Sequence, residues 1–235
     1  MAADLAAQAS AFAKELGSTL RACLPRVPNV DAQGVGNRFV VQPTDKKGMP
    51  AHIPLLVGGN ELATLNFQMY FDLDWSGTFL KNIRTDLSVF SVLDRQPLFH
   101  LDYKAEMHSA PKAHWQFHAE RGSLTHLLTL AQKHRPKTVK NPHTLSRLHF
   151  PVGGERFRPC IEDVIQFLIE ECGVDREKGW EKSVVAGREK WRRLQLRTVV
   201  RDLQEESAEI LRREGWTVTP PDRLQSESKT TLHNW

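Results

Sequence analysis

The clearest pattern of hydrophobic and polar positions lies between residues 62 and 75. From Ala63 to Trp75 every odd position is apolar, and from Thr64 to Asp74 the even positions are polar, aromatic-polar or acidic. Successive side chains of a β-strand point to opposite faces of the sheet, so this pattern separates an apolar face from a polar one. It predicts a long antiparallel strand with one buried face and one solvated face.

Other segments with turn residues between them predict strands that join this one in a β-meander. These predicted strands are residues 38–42, 79–93, 98–104 and 114–120. Residues 25–37 and 43–50 are rich in proline, glycine and asparagine, which favours loops on either side of the first strand. Residues 148–152 are compatible with one further short strand.

Helical spacing of apolar residues predicts four helices around the sheet. They are residues 3–24, ended by Pro25; 123–135, with Ser123 as N-cap; 159–172, with Pro159 in the first turn; and 181–214, with a possible break at Gly187. Strands fall mainly in the first half of the chain and helices in the second, without βαβ alternation. The predicted fold class is therefore α+β, an antiparallel meander packed against helices with a long C-terminal amphipathic helix.

Length and composition are consistent with one globular domain over residues 1–218 and a flexible tail over 219–235. The chain has 235 residues, of which 40% are hydrophobic and 26% charged, which excludes wholesale disorder. Mean hydropathy is −0.44, and the absence of a long apolar run argues against a membrane-spanning protein. Three dispersed cysteines and no basic leader at the start predict a reduced, cytoplasmic protein. No nucleotide-binding or metal-binding motif is present, so we expect no cofactor and no metal.

The predicted hairpin of residues 98–104 and 114–120 brings histidines onto one face. Alternation places Phe99, Leu101, Tyr103, Trp115 and Phe117 on the buried side. The opposite side carries His100, Asp102, Lys104, His114, Gln116, His118 and Glu120. Cross-strand neighbours lie about 5 Å apart, so imidazoles and a carboxylate can share one site.

Such a set suits general acid–base catalysis of phosphodiester cleavage. The candidate catalytic residues are His100 and His118 as acid and base, Asp102 to orient one ring, and His114 and Arg121 in secondary roles. One metal bound by both His114 and His118 is disfavoured, because two histidines four residues apart on a strand lie about 13 Å apart. A metal would have to use one of them together with His100 or Asp102 across the ladder. The alternative is that these histidines form only the solvated face of an exposed hairpin.

Positive charge is concentrated in two stretches, although the net charge is only +4. Residues 133–158 contain seven Lys or Arg and one acid, and residues 176–201 contain nine and three. Phosphate backbones are the common partner of such surfaces. The candidate nucleic-acid-binding residues are Lys133, Arg135, Lys137, Lys140, Arg147, Arg188, Lys190, Arg192, Arg193 and Arg197.

Trp180 and Trp191 lie within the second basic stretch and are candidates for base stacking. The alternative for this stretch is a solvated helix face whose arginines pair with glutamates one turn away, as Glu189 and Arg193 can. After residue 202 the charge reverses, with glutamates in the majority.

The segments LFHLDYK, HWQFHAERG and LHFPVGGERFRPCIEDVIQFLIEE, taken in this order, resemble bacterial proteins in which a meander ends in a histidine-bearing strand followed by a helix that begins at a proline. Some of these proteins are assigned to toxin–antitoxin or prophage-type modules. The resemblance covers roughly residues 60–172 and leaves out the helical extension over 180–214. It implies a toxin or defence-module component with a protein partner such as an antitoxin, and it assigns no catalytic residue.

The sequence therefore leads to two functional expectations, and it leaves open whether the protein is an enzyme. The first is a protein that binds RNA or DNA, with nuclease-like toxin activity within its scope. The second is a non-enzymatic interaction or regulatory protein that forms a homo- or hetero-oligomer. Neither expectation involves a membrane.

Overall fold

The computed structural model describes residues 2–74, 76–93, 95–108, 110–119, 122–134, 136–137, 140–152 and 156–223. The helices in this part of the chain are α1 (Ala2–Cys23), α2 (Gly122–His134), α3 (Ile161–Glu170), α4 (Trp180–Asp202) and α5 (Gln204–Arg213). The strands are β1 (Asn29–Val35), β2 (Arg38–Thr44), β3 (Ile53–Val57), β4 (Asn60–Leu73), β5 (Leu80–Ser91), β6 (Pro97–Lys104), β7 (Ala113–Phe117) and β8 (Phe150–Pro151). The predicted α+β class is confirmed.

All of these strands join one antiparallel sheet in the order β1-β2-β4-β5-β6-β7-β8, with β3 also paired to β4. One edge of β4 pairs with β5 along most of its length. Its other edge is shared, because β3 places Ile53 opposite Leu65 and β2 places Phe39 opposite Phe71. Strand β4 therefore connects β2 and β3 on one of its edges to β5 on the other.

The alternation predicted for the long strand is confirmed by its burial. Leu65, Phe67, Met69 and Phe71 are buried, while the residues between them are more exposed. Helices α1, α3 and α4 contribute to the core on this face, and the ring centroids of Phe12 and Phe71 lie 4.9 Å apart. Burial of apolar surface between these helices and the sheet is the main stabilising contribution.

The opposite face carries polar side chains that bond to one another across the strands. Gln68 Nε2 donates to Gln42 Oε1 at 2.7 Å, and Gln42 Nε2 donates to Gln33 Oε1 at 2.9 Å. Partly buried amides of this kind are stable because each has a hydrogen-bond partner. The sheet thus has a distinct polar face from β1 onward.

Two strands differ from the sequence prediction. β1 occupies residues that predicted a loop, and β3 was not predicted. In β1 only Val30 is buried, so the strand lacks the alternation by which strands are recognised. Its pairing with β2 over seven residues supplies backbone hydrogen bonds that local composition does not reveal.

The ends of other strands also differ. β5 is shorter at both ends than residues 79–93, and β7 ends at Phe117 rather than at 120. Strand β8 confirms the short strand expected within 148–152. Trp75, Glu120 and Arg121 lie outside the described residues, as do residues 224–235 of the predicted tail.

Helix α3 begins later than predicted, and the predicted C-terminal helix breaks at a different residue. Helix α3 begins after Cys160, whose backbone N–H donates to Asp163 Oδ2 at 3.0 Å, so Pro159 precedes the helix. Helix α4 continues through Gly187, and the break lies at Leu203, with φ −125° and ψ 62°. Gly187 instead allows close packing, because a Cβ there would overlap the Glu162 carboxyl group. None of the described helices combines the length and hydropathy that a membrane crossing requires.

Replacement of Leu65 by alanine tests the assigned faces of β4. Leu65 is fully buried, whereas Leu62 on the same strand is 51% exposed. We expect Leu65→Ala to lower the free energy of unfolding by about 2–5 kcal/mol because it leaves a cavity. The matched Leu62→Ala change should shift it by no more than about 0.5 kcal/mol. Urea denaturation of both variants measures the difference, and equal losses would contradict the assignment of faces.

Candidate histidine site and basic surface

The pairing of β6 with β7 brings the predicted histidine face together. His100 lies opposite Gln116, and Asp102 lies opposite His114. The alternate residues Phe99, Leu101 and Tyr103 are buried on the other face, as predicted. Phe117 is 42% exposed, because it lies at the end of β7, but its ring still contacts Phe99 and Phe150.

Four imidazoles meet on this face around one amide side chain. We call His100, His114, His118, His149 and Gln116 the histidine cluster. The ring centroids of His100 and His118 lie 5.0 Å apart, and those of His114 and His149 lie 4.5 Å apart, both edge to face. His149 was not among the predicted site residues, since it precedes β8 far along the chain.

Gln116 is the central hydrogen-bonding residue of the cluster. Its Oε1 bonds to His100 Nε2. Its Nε2 lies 2.7 Å from the Ser146 carbonyl oxygen and 3.1 Å from His149 Nε2. Gln116 therefore connects β6 and β7 to the segment before β8. The sequence placed Gln116 on the correct face but assigned it no role.

His114 is inaccessible within the cluster. It is 1% exposed, and its Nδ1 lies 2.7 Å from the Pro111 carbonyl oxygen. That carbonyl can only accept, so Nδ1 carries the proton. His114 is therefore a core residue rather than a group that can meet a substrate.

Asp102 lies beside the cluster without orienting the rings of His100 or His118. Its closest described cation is Lys104, with Nζ 4.0 Å from Oδ2, and Gln116 occupies the hydrogen-bonding position at His100. Asp102 acts on His149 at longer range, where its charge opposes the lowering of that residue's pKa. The predicted secondary residue Arg121 lies outside the described residues.

Two of the imidazoles are held in the neutral form near pH 7. Burial, followed by the neighbouring His100, lowers the pKa of His118 below its usual value. Burial, followed by His114, lowers the pKa of His149. His118 Nδ1 lies 3.0 Å from Gln96 Nε2, which donates to it, so the proton lies on Nε2. That nitrogen is buried and has no hydrogen-bond partner among the described residues.

The described residues contain no group of three histidine, cysteine or carboxylate side chains that could hold a metal ion. The rings of the cluster contact one another edge to face, an arrangement typical of packed rings. The ring nitrogens that remain for a ligand at its surface are Nδ1 of His100 and Nδ1 of His149, since Nε2 of both rings bonds to Gln116.

A run of positive residues leads to this cluster. We call residues 133–147 the basic segment, since it contains five Lys or Arg and no Asp or Glu. Lys133, Lys137, Lys140 and Arg147 are exposed, and none of them has an ion pair within the described residues; Arg135 lies outside them. The Gln116–Ser146 hydrogen bond fixes the end of the segment, and Arg147 is close enough to contribute to the lowered pKa of His149.

The predicted cations of α4 are only partly available. Arg188 Nε binds Asp163 Oδ1 at 2.7 Å, Lys190 pairs with Glu15, and Arg193 pairs with Glu189 at 2.7 Å. Arg192 and Arg197 are exposed. Only Arg193 follows the alternative of pairing one turn away on the same helix. Arg188 and Lys190 pair instead with carboxylates of α3 and α1, because α4 packs against these helices.

The tryptophans of this helix do not form a stacking surface. Trp180 is 4% exposed within the core, so the base-stacking role considered for it is wrong. Trp191 is half-buried beneath the guanidinium group of Arg158. The exposed rings at this edge of the sheet are instead those of Phe117 and Phe150, at 42% and 45% exposure, on the face opposite to the histidine cluster. The sequence pattern did not identify them, because it placed Phe117 on the buried side.

Comparison with known proteins found no matching family model, no matching curated protein and no matching solved structure. Any assignment of function to this chain therefore depends on its own residues.

The lowered pKa values of His118 and His149 predict a pH dependence of stability. In the unfolded chain these rings bind protons near pH 6.5, while the folded protein binds them only at lower pH. Protonation therefore favours unfolding, and stability should fall as the pH drops below about 6.5 toward the folded pKa values. Urea midpoints between pH 5 and 7.5 measure this loss.

The histidine variants identify the source of that loss. His118→Gln should flatten the pH dependence, whereas His126→Gln, which changes an exposed histidine of α2, should leave it unchanged. An unaltered pH dependence in the His118→Gln variant would contradict the assignment.

Proposed function

We propose that this chain binds single-stranded nucleic acid along the basic segment, with the histidine cluster at the end of the binding surface. The observation that supports this most is the set of exposed cations at Lys133, Lys137, Lys140 and Arg147, in a segment that contains no carboxylate. Cations without carboxylate partners are free to neutralise phosphates and to release condensed counterions. The cations of α4 contribute less, because most of them are paired.

The cluster and the edge of the sheet add the other contacts that single strands use. Nδ1 of His100 and Nδ1 of His149, whose Nε2 atoms bond to Gln116, can form hydrogen bonds at base edges. The exposed rings of Phe117 and Phe150 lie at the β7–β8 edge on the opposite face, so bases can stack on them, whatever their sequence, only where a bound strand passes around this edge. A protein that combines a cationic track with aromatic rings fits single strands better than a duplex.

Binding is the proposed activity, and cleavage is not part of it. His100 and His118 contact one another, with 5.0 Å between ring centroids. General acid–base cleavage needs each imidazole within hydrogen-bonding reach of a different oxygen of the same phosphate. Rings in mutual contact leave no space for that phosphate between them.

A second candidate function is self-association through the C-terminal helices. Leu196, Val200, Ile210 and Trp216 are all more than half exposed. The basic α4 and the acidic α5 lie next to each other in the chain, so two copies related by a twofold axis could match opposite charges around these apolar groups. Light scattering at several concentrations tests this, since a monomer throughout would exclude it.

In a toxin–antitoxin module, which the order of elements resembles, a partner such as an antitoxin would cover the basic segment instead.

A charge-matched pair of variants tests the proposed binding surface. Fluorescence anisotropy with labelled 12-nucleotide RNA and DNA gives affinity as a function of salt. Lys137→Ala/Lys140→Ala should weaken binding and reduce the slope of log affinity against log salt by about 1.4, since each phosphate contact with a single strand contributes about 0.7. Lys46→Ala/Lys47→Ala removes the same charge from the exposed loop after β2 and should change neither quantity.

Two results would contradict the proposal. One is binding that is absent at low salt or is weakened equally by both double variants. The other is breakdown of the oligonucleotide that stops in the His100→Gln/His118→Gln variant, because this would make the cluster catalytic.

A further inference from the structure

The Gln116 side chain holds the end of the basic segment against the sheet. Its amide group lies between three neighbours, which are His100 of β6, the Ser146 carbonyl group and His149. Strand β8, which follows the basic segment, pairs with β7 over only two residues. Because this pairing is so short, the contacts at Gln116 contribute directly to the attachment of the segment.

The Ser146 carbonyl group determines where the protons of this arrangement lie. A carbonyl oxygen can only accept, so the Gln116 atom that lies 2.7 Å from it must be the amide nitrogen Nε2. Gln116 Oε1 then faces His100 and accepts from that ring, so His100 Nε2 carries a proton. His149 Nε2 lies 3.1 Å from Gln116 Nε2 and must accept from it. The neutral His149 ring therefore carries its proton on Nδ1.

A second proton on His149 is incompatible with this arrangement. Both ring nitrogens of an imidazolium are donors, so His149 Nε2 would face the Gln116 amide nitrogen donor to donor. A flip of the amide would satisfy His149, but it would place Gln116 Oε1 against the Ser146 carbonyl oxygen, acceptor to acceptor. In either orientation, a charged His149 removes one of the two contacts between Gln116 and the chain before β8.

The groups that face His149 keep its ring neutral near pH 7. Burial is the largest cause of its lowered pKa, followed by His114 of β7. His100 of β6 and Arg147 of its own segment act in the same direction, whereas Asp102 of β6 opposes them. The contacts of Gln116 are therefore complete at pH 7, and His149 is charged only well below the usual imidazole pKa of about 6.5.

We propose that Gln116 and His149 form a pH-sensitive latch, which holds the end of the basic segment on the sheet while His149 is neutral and loosens it when His149 binds a proton. The latch is a property of the protein alone. Its role as a regulator of nucleic-acid binding rests on the function proposed above, because the position of Arg147 relative to the sheet depends on this attachment.

Amide hydrogen exchange of the unmodified protein, without nucleic acid, tests the latch. The Val152 N–H donates to the Ala113 carbonyl oxygen at 3.2 Å and so links the chain after the basic segment to β7. Its protection factor, corrected for the intrinsic exchange rate at each pH, should be about fivefold lower at pH 5 than at pH 7.5, as expected for the loss of one hydrogen bond. The Ala51 N–H, which donates to the Pro43 carbonyl oxygen at 2.9 Å, should show no such change.

Two substitutions with opposite expected results separate the latch from a general effect of pH. His149→Gln supplies an oxygen that can accept from Gln116 and does not titrate, so Val152 should stay protected at both pH values. Gln116→Met keeps the length of the side chain without its hydrogen bonds, so Val152 should be poorly protected at both. The control His143→Gln changes an exposed histidine of the basic segment and should retain the full pH dependence.

Equal protection of Val152 at both pH values in the unmodified protein would overturn the latch, and so would a pH dependence that persists in His149→Gln. If Gln116→Met fails to fold, the unmodified protein and His149→Gln still decide. Absence of oligonucleotide binding would contradict the proposed function and leave the exchange result as it stands. The regulatory role is contradicted if oligonucleotide affinity has the same pH dependence in His149→Gln as in the unmodified protein.

Discussion

The alternation of side chains along β4 is the constraint on which the rest of the structure depends. One face of this strand is apolar and draws α1, α3 and α4 onto the sheet, while the other face is polar and stays free of them. Since β4 pairs with β2, β3 and β5, its register fixes which face every neighbouring strand presents to the helices. A shift of one residue would move a whole row of apolar side chains to the polar face.

Strand β6 shows how this constraint produces two different surfaces. Leu101 and Tyr103 point toward the helices and line a cavity beside Arg158. His100 and Asp102, which alternate with them, point to the polar face and reach the histidine cluster. The helix-covered face and the histidine cluster are therefore separated by the thickness of one sheet.

The sequence predicted the parts of the molecule that depend on local periodicity. Strands β4, β5 and β6 and the shared face of His100 and Asp102 follow from alternation alone. β1 was missed because its stability depends on pairing with β2 rather than on its own pattern. The continuity of α4 through Gly187 was equally hidden, since the reason for that glycine is the Glu162 carboxyl group from another helix.

The sites themselves depend on contacts between distant segments, which periodicity does not report. His149 joins the cluster only because β8 pairs with β7, and Gln116 becomes central only because Ser146 approaches it. Arg158 and Trp191 belonged to the two basic stretches and were interpreted as surface groups. In the structure they pack against each other beside an apolar cavity, so charge density along the sequence overstated the exposed positive surface.

The separation of the two surfaces by the sheet is the central claim, and one NMR experiment tests it most directly. Imidazole signals of the cluster histidines and the methyl signal of Met69, which is buried on the helix-covered face, are followed in the same sample while an oligonucleotide is added. The account predicts that the oligonucleotide shifts the signals of His100, His118 and His149 but not that of Met69. If the Met69 signal shifts as strongly as the imidazole signals, the two-sided arrangement is contradicted.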